Sequence, residues 1–390
     1  MQAAGELPRD MAVGAPDPSP AGRALRILMV TPRFLPEMGG IETHVNEVGR
    51  RLVEAGHQVS VLTTDRSGER PVSEAMSGMR IQRVRAYPRG GDYYLAPALW
   101  RAMMAAEADI IHVQGYHTLV PPLAMLAALR KRVPFVITFH SGGHSSALRN
   151  MVRGLQWALL APLVRRAARW IAVSRYEADH FSARMALPRE AVCVVPNGAG
   201  MPAETGPPAA RPAAPLVVSI GRLERYKGHH RAIQALPFLR QQHPGACLRV
   251  LGEGPYRAEL ESLTARLGLG DAVTLGAVPP GERARLAAVL RSASLVVLLS
   301  DYEAHPVAVL EALALGCPVL TTDTSGFREM AEQGMVRAIP PSATPEEVAR
   351  AMIAAMAGER RAATLALPSW EDCAGRLEAV YRAACRAVAT

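Results

Sequence analysis

The chain has 390 residues, 49% of them hydrophobic and 20% charged, with a formal net charge of +9. That length suggests two to three domains with full cores, and the composition fits a soluble globular protein. No apolar stretch reaches the ~18–20 residues of a membrane span, and five scattered cysteines without a CxxC pair argue against a disulfide framework or a cysteine-rich zinc site and for a reducing cytoplasm.

Residues 1–22 hold four prolines, three acids and no apolar core, so residues 1–23 read as a disordered tail rather than a secretory signal. Apolar strand-like runs then alternate with helical patterns. A run at 25–31 precedes a helix at 41–55, whose apolar stripe is Ile41, Val45, Val48 and Leu52 and whose stop is Gly56. Further buried strands are expected at 58–63, 109–113, 134–138, 170–173 and 192–195. A second series follows at 216–220, 247–251, 272–275, 294–299 and 318–321. Strands alternating with helices imply parallel sheets covered on both faces. Between the two series, residues 202–215 contain five prolines and no apolar periodicity, which is linker composition. The reading is an α/β protein of two doubly wound domains, at 24–198 and 216–368, joined by a linker at 199–215 and facing an interdomain cleft. Ser369 and Asp372 have capping-box spacing before a last helix at 369–390, which packs back across the first domain.

Charge is uneven: residues 1–195 carry 24 Arg and Lys against 16 Asp and Glu, and residues 196–390 carry 20 against 19. The basic first half could favour an anionic membrane surface or a phosphate-bearing acceptor; it could equally be a solvated basic surface. Residues 149–169, with five arginines among apolar residues, read either as an amphipathic surface touching a membrane or as a packing helix.

In doubly wound sheets, ligands sit outside the carboxyl ends of the strands. The strand at 216–220 delivers Gly221 and Arg222 to such an end, and Lys227 follows in the same loop, one of only two lysines among 44 basic residues. A compact ammonium reaches phosphate oxygens as a point charge, and an arginine binds them in bidentate fashion. Downstream, Glu303 and Glu311 stand eight apart around a helix start at Pro306. The N–H groups of Val307 and Ala308 would point at an anion there, Glu303 at sugar hydroxyls and Glu311 at ribose hydroxyls. Gly39 and Gly40 permit close backbone approach before the first helix, without forming a dinucleotide fingerprint. His140, at a strand end before two glycines, could contact a sugar or shift protons, and His112 reads as structural.

These segments, in this order, resemble the retaining glycosyltransferases of family 4, with the GT-B fold, over nearly the whole chain. They are PEMGGIETHV (36–45), TFH (138–140), AVS (172–174), PNG (196–198), GRLERYKG (221–228), LGEGP (251–255), and EAHPVAVLE with ALALGCPV (303–319). The first segment is similar to the catalytic subunit that starts GPI-anchor synthesis and to its bacterial relatives. The resemblance implies that Arg222 and Lys227 neutralise a donor diphosphate, with Gly39, Gly40 and Gly221 beside it. Glu303 would bind the donor sugar, Glu311 the ribose, and Gly276, Ala277 and Val278 the base. His140 would lie by the transferred sugar, with Asn197, Ala304, His305, Val307 and Ala308 among the donor contacts. Ala304 and Ser325 stand where glycine is usual, and Gln114 where a second histidine often appears.

The expected activity is metal-independent, retaining transfer of a hexose-type sugar from a nucleoside-diphosphate sugar. The acceptor is a glycan or lipid-linked hydroxyl of the cell envelope, entering from the first domain. The catalytic residues would be His140, Arg222, Lys227 and Glu303. No cofactor or metal and no nucleic-acid partner is expected, and the location would be cytoplasmic, at or near the inner membrane face. A sugar-nucleotide 2-epimerase and a non-catalytic nucleotide-sugar-binding protein are the alternatives.

Overall fold

The computed structural model describes residues 22–89, 94–140, 147–202, 214–358 and 366–389. The tail and most of the linker therefore lie outside the described residues, as do the two glycines after His140. The first domain contains β1 (Arg26–Val30), α1 (Gly40–Glu54), β2 (Gln58–Asp65), β3 (Ser73–Met76), β4 (Met79–Arg85), α2 (Ala98–Ala105), β5 (Ile110–Gln114), α3 (Val120–Lys131), β6 (Phe135–Thr138), α4 (Ala147–Val164), β7 (Arg169–Ala172), α5 (Arg175–Met185) and β8 (Val192–Val194). The second contains β9 (Leu216–Ile220), α6 (His229–Gln242), β10 (Cys247–Leu251), α7 (Arg257–Arg266), β11 (Val273–Gly276), α8 (Arg283–Ser292), β12 (Leu295–Leu298), α9 (Val307–Ala314), β13 (Val319–Thr322), α10 (Ser325–Glu332), β14 (Arg337–Ile339) and α11 (Pro345–Met356). A last helix, α12 (Trp370–Ala389), follows.

The first sheet has the order β3-β4-β2-β1-β5-β6-β7-β8 and the second β11-β10-β9-β12-β13-β14. All pairs are parallel except β3 with β4. That hairpin and β14 are the strands the apolar runs do not reveal. Arg80, Arg83 and Arg85 interrupt β4, and its turn is carried by Ser77 and Gly78, both at positive φ. The local signal was a Ser-Gly pair between alternating residues.

Alternation along β1 divides the first domain's core. Leu28 and Val30 face a layer built from α2 to α5, while Ile27 and Met29 face α1 and α12. The second assignment explains why the last helix returns to the first domain. Trp370, Leu377 and Tyr381 complete a core that α1 covers only in part. Ser369 caps α12 by accepting from the Asp372 N–H at 2.9 Å, and its hydroxyl donates to the Asp372 carboxylate at 2.8 Å. Deeper in, the Tyr381 hydroxyl lies 2.7 Å from His112 Nδ1, so the buried His112 is structural.

The chain passes between the domains at 197–202 and again at 366–370, and the two passages run side by side. The Ala199 N–H donates to the Pro368 carbonyl at 2.7 Å. A Cβ on Gly198 would stand 2.3 Å from the Trp370 nitrogen, so only glycine fits that crossing. Helix α4 packs Trp157, Leu160 and Val164 inward and leaves Leu159 69% exposed.

Trp370→Ala empties a buried site where both passages meet. It should cost about 3–5 kcal/mol, read as a lowered midpoint in denaturant unfolding; an unchanged midpoint would refute the packing argument.

Candidate functional site

Three loops converge at the carboxyl ends of β9, β10 and β12, and glycines allow their approach. A Cβ on Gly228 would lie 1.9 Å from the Leu299 carbonyl oxygen, and one on Gly252 would lie 1.9 Å from the Gly221 carbonyl oxygen. Gly228 also has φ 72°, which disfavours any side chain. The Gly252 N–H donates to Gly276, so the 221, 252 and 276 positions abut. His229 fixes the β9 loop from beneath: its Nε2–H donates to the Arg222 carbonyl at 3.1 Å, and Nδ1 accepts from the Ser219 hydroxyl at 2.8 Å.

At the loop's tip, Lys227 Nζ lies 2.5 Å from Glu303 Oε1, and the Ser300 hydroxyl donates to the same oxygen at 2.9 Å. Burial opposes the lysine's charge, but the Glu303 carboxylate outweighs it, and the Lys227 pKa is raised above its ordinary value. Arg222 is more open and reaches Glu224 at 3.3 Å. The two cations and Glu303 thus form one cluster.

Glu303 is held by its backbone as well. Its N–H donates to the Ser325 hydroxyl at 2.9 Å, and its carbonyl accepts from the Gly326 N–H at 2.8 Å. Ser325 sits at φ 44°. This is the position where the resemblance leads one to expect glycine, and the serine accepts the strained backbone while supplying a hydroxyl. A Cβ on Gly326 would stand 1.7 Å from the Ala304 carbonyl oxygen, which brings α10 against the segment that carries Glu303. Pro306 is the cap of α9 rather than its first helical residue. Val307 and Ala308 occupy the first turn, where N–H groups have no intrahelical acceptor.

Glu311 is buried in α9, and Arg283 Nη2 lies 2.6 Å from its Oε1. Burial raises the Glu311 pKa, against the pull of Arg283. Arg283 and the hydroxyls of Ser300 and Ser325 are site groups that the sequence reading did not assign roles. Arg283 looks like any surface arginine at a helix start until α8 is placed beside α9. Gly276 ends β11 and Val278 packs against the core beneath α9, with Ala277 between them.

The first domain contributes α1 and the end of β6. Gly39 caps α1 and Gly40 begins it. The Glu42 carboxyl in the first turn is pushed up by burial, while Arg33 and, from the other domain, Arg222 pull it down. Arg222 therefore acts electrostatically on the start of α1. His140 ends the β6 side at φ 47°. Its Nε2–H donates to Gln114 Oε1 at 2.7 Å, and the Gln114 amide in turn lies 3.2 Å from His112 Nδ1. Burial, with His44, His112 and His117 nearby, holds the His140 pKa well below the ordinary histidine value.

Asn197 and His305 lie in the domain junction. The His44 Nδ1–H donates to Asn197 Oδ1 at 2.9 Å, and the Asn197 amide donates to the His305 carbonyl at 2.8 Å. The Asn197 backbone N–H donates to His305 Nδ1 at 3.2 Å. Both amide atoms of Asn197 are engaged within the protein, so its side chain joins domains rather than standing beside the Lys227 cluster. His44, unassigned by the sequence reading, stacks edge-on against His140 with ring centroids 4.7 Å apart.

Among the described residues, no group of three or more His, Cys, Asp or Glu could hold a metal ion, and no helix is long and apolar enough to cross a membrane.

Comparison with known proteins matches residues 38–199 to the family model "Glycosyltransferase Family 4" and residues 204–366 to "Glycosyl transferases group 1". A glycogen synthase of Mycobacterium tuberculosis is 30% identical, the alignment covering 83% of this chain and 84% of that one. A phosphatidylinositol N-acetylglucosaminyltransferase subunit of Arabidopsis thaliana is 28% identical over 92% of this chain and 81% of its own. Among solved structures, sucrose-phosphate synthase from Thermosynechococcus elongatus superposes with a TM-score of 0.73 at 21% identity, covering 92% of this chain and 98% of that one. The fold is GT-B.

Burial lowers His44, His229 and His305 from 6.5 to about 4. Between those values the unfolded chain binds protons that the folded protein refuses, so stability rises with pH across the window and is lost as pH falls through it. Each such histidine contributes up to about 1.4 kcal/mol per pH unit. Denaturant midpoints should therefore decline steadily from pH 6.5 to 4.5; a flat profile would show these rings to be solvated.

Proposed function

The chain belongs to glycosyltransferase family 4, and from there we propose that it moves a hexose-type sugar from a nucleoside-diphosphate sugar to a hydroxyl of a cell-envelope lipid or polysaccharide, with retention of anomeric configuration. The observation that carries this reading is the Lys227–Glu303 pair, 2.5 Å apart at a strand end beside the start of α9. A cation and a carboxylate fixed together suit the two halves of such a donor, diphosphate and sugar.

In this reading Arg222, Lys227 and the first-turn N–H groups of α9 meet the donor phosphates. Fixed positive charge there stabilises the negative charge that develops as the diphosphate departs. Glu303 accepts from donor sugar hydroxyls, and Glu311 from the ribose. His140 is neutral at ordinary pH, so it contributes as a hydrogen-bonding group beside the transferred sugar rather than as an acid. The reading assigns no carboxylate to receive the acceptor proton. The departing phosphate oxygen takes that proton as the acceptor oxygen attacks from the same face, which retains configuration. The two cations supply the charge that a bridging metal would otherwise bring, so the reaction is metal-independent. Closure of the domains around the donor excludes water and limits hydrolysis.

The acceptor side of the proposal rests on the outer surface of α2, α3 and α4. Trp100, Met104, Leu126 and Leu159 are exposed on these helices, four of ten large exposed hydrophobics among the described residues. Residues 85–169 carry eleven Arg and Lys against three Asp and Glu. Apolar side chains set among cations suit an anionic membrane surface, where each basic residue contributes about 1 kcal/mol. A lipid-linked acceptor would be met there from the cytoplasmic side.

Lys227→Ala and Glu303→Ala should each lower transfer by about 10²–10³ or more with far-ultraviolet circular dichroism unchanged; turnover near the parent level in either sinks the assignment. Proton NMR of the product should give the donor's anomeric configuration, and donor incubated alone should not be isomerised.

The membrane reading predicts co-sedimentation with phosphatidylglycerol-containing vesicles, weakened by salt and by Trp100→Ala with Leu159→Asp. Equal binding to neutral vesicles would overturn it.

A further inference from the structure

Glu311 is tied into more than α9. Arg283, the first residue of α8, places Nη2 2.6 Å from Glu311 Oε1 and 3.0 Å from Met201 Sδ, with the Gly200 carbonyl at 3.5 Å. Further along the same helix, Arg291 donates to the Pro202 carbonyl at 2.8 Å. Helix α8 is thus fastened to the connector at residues 200–202, and Arg283 joins that fastening to the carboxylate. Glu311 is 6% exposed at its side chain and Arg283 28%. A carboxylate this buried needs a partner to remain charged. Among the described residues, the other charged group acting on it is Glu47 of α1, which opposes ionisation.

Charge state decides what Glu311 can bind. As a carboxylate it offers only acceptors, which match two adjacent hydroxyl donors; once protonated it presents a donor of its own. With Arg283 on Oε1, the other oxygen and the remaining lone pairs are left for a ligand.

We propose that Arg283 is a positioning residue for nucleotide recognition: it keeps the Glu311 carboxylate charged and oriented toward a vicinal diol, and so sets the preference for ribose over deoxyribose donors. The inference rests on the reading of Glu311 as the ribose carboxylate. Arg283 acts through Glu311 and touches no reacting atom. A purely structural arginine would alter stability and leave sugar discrimination alone.

The test measures calorimetric affinity of the full chain for UDP and 2′-deoxy-UDP, or for the GDP or ADP pair where that base binds more tightly. The parent protein should favour the ribonucleotide roughly 10- to 100-fold, the value of a hydrogen bond to a charged group. Arg283→Met should reduce that ratio to about twofold or less, and Arg283→Lys should restore part of it. Adding Glu311→Gln to Arg283→Met should reduce the ratio no further, because the two act as a unit. A parent protein that does not discriminate would remove the ribose reading itself. A parent that discriminates and an Arg283→Met protein that keeps the full ratio would overturn this inference alone. Should Arg283→Met not fold, Arg283→Lys carries the test: an undiminished ratio at lowered donor affinity would overturn it, and a diminished ratio would support it.

Discussion

The loops that meet at the strand ends of the second domain are organised around a largely buried ion pair that is costly to assemble. Removing Lys227 and Glu303 from water costs several kcal/mol for each ion, and mutual attraction returns that only with good geometry and added hydrogen bonds. The structure supplies both. Ser300 donates to the same carboxylate oxygen, Ser325 and Gly326 grip the Glu303 backbone, and Gly228 lets the two loops touch. An apolar pair of similar size would hold the loops at lower cost. What the ion pair adds is orientation: an ammonium and a carboxylate already aimed and already desolvated. A ligand that takes over either partner's role meets a site organised in advance, so less of its binding energy goes into ordering the protein.

The domain junction follows a related logic with neutral groups. Asn197 bonds to His44 of the first domain and His305 of the second, and Gly198 passes within reach of Trp370. Burial disfavours the charged form of these rings, so the hydrogen bonds of Asn197 to His44 and His305 join neutral groups. On the far side, Arg175 and Glu329 join α5 to α10 through a surface ion pair at 3.1 Å. Exposed pairs of this kind contribute little and exchange readily with water. Glu329 also accepts from the Arg175 backbone N–H at 2.9 Å, so α5 and α10 are joined at two points.

The sequence was most legible where periodicity and burial agree. Central strands such as those at 27–30 and 295–298 are continuous apolar runs because helices cover both faces, and they stand out for that reason. The β3–β4 hairpin lies at a sheet edge, where Arg80 and Arg85 of β4 stay exposed and the buried Arg83 is paired with Glu74 and the Leu35 carbonyl, so no apolar run forms. Lys227 and Glu303 were legible as types at strand ends, but their direct contact joins residues 76 apart in sequence. The departures from the family pattern became intelligible only in three dimensions. Gln114 takes the His140 proton bond, and Ser325 combines a positive φ with a hydroxyl that positions Glu303. Arg283 left no trace in the sequence because its significance lies in the packing of α8 against α9 and the connector.

Charge is divided between the domains according to range. Residues 196–390 carry 20 basic against 19 acidic residues, so the second domain has almost no net charge. The positive charge at its β9 strand end is local, in Arg222 and Lys227, and acts at contact distance, where salt screens poorly. The first half of the chain differs: residues 1–195 carry 24 Arg and Lys against 16 Asp and Glu. Diffuse exposed charge acts at long range, suits extended anionic surfaces and is screened by salt. On the proposed reading, the cations of the β9 loop would hold a donor by contact, while the excess charge of the first half would act at longer range on an extended anionic surface.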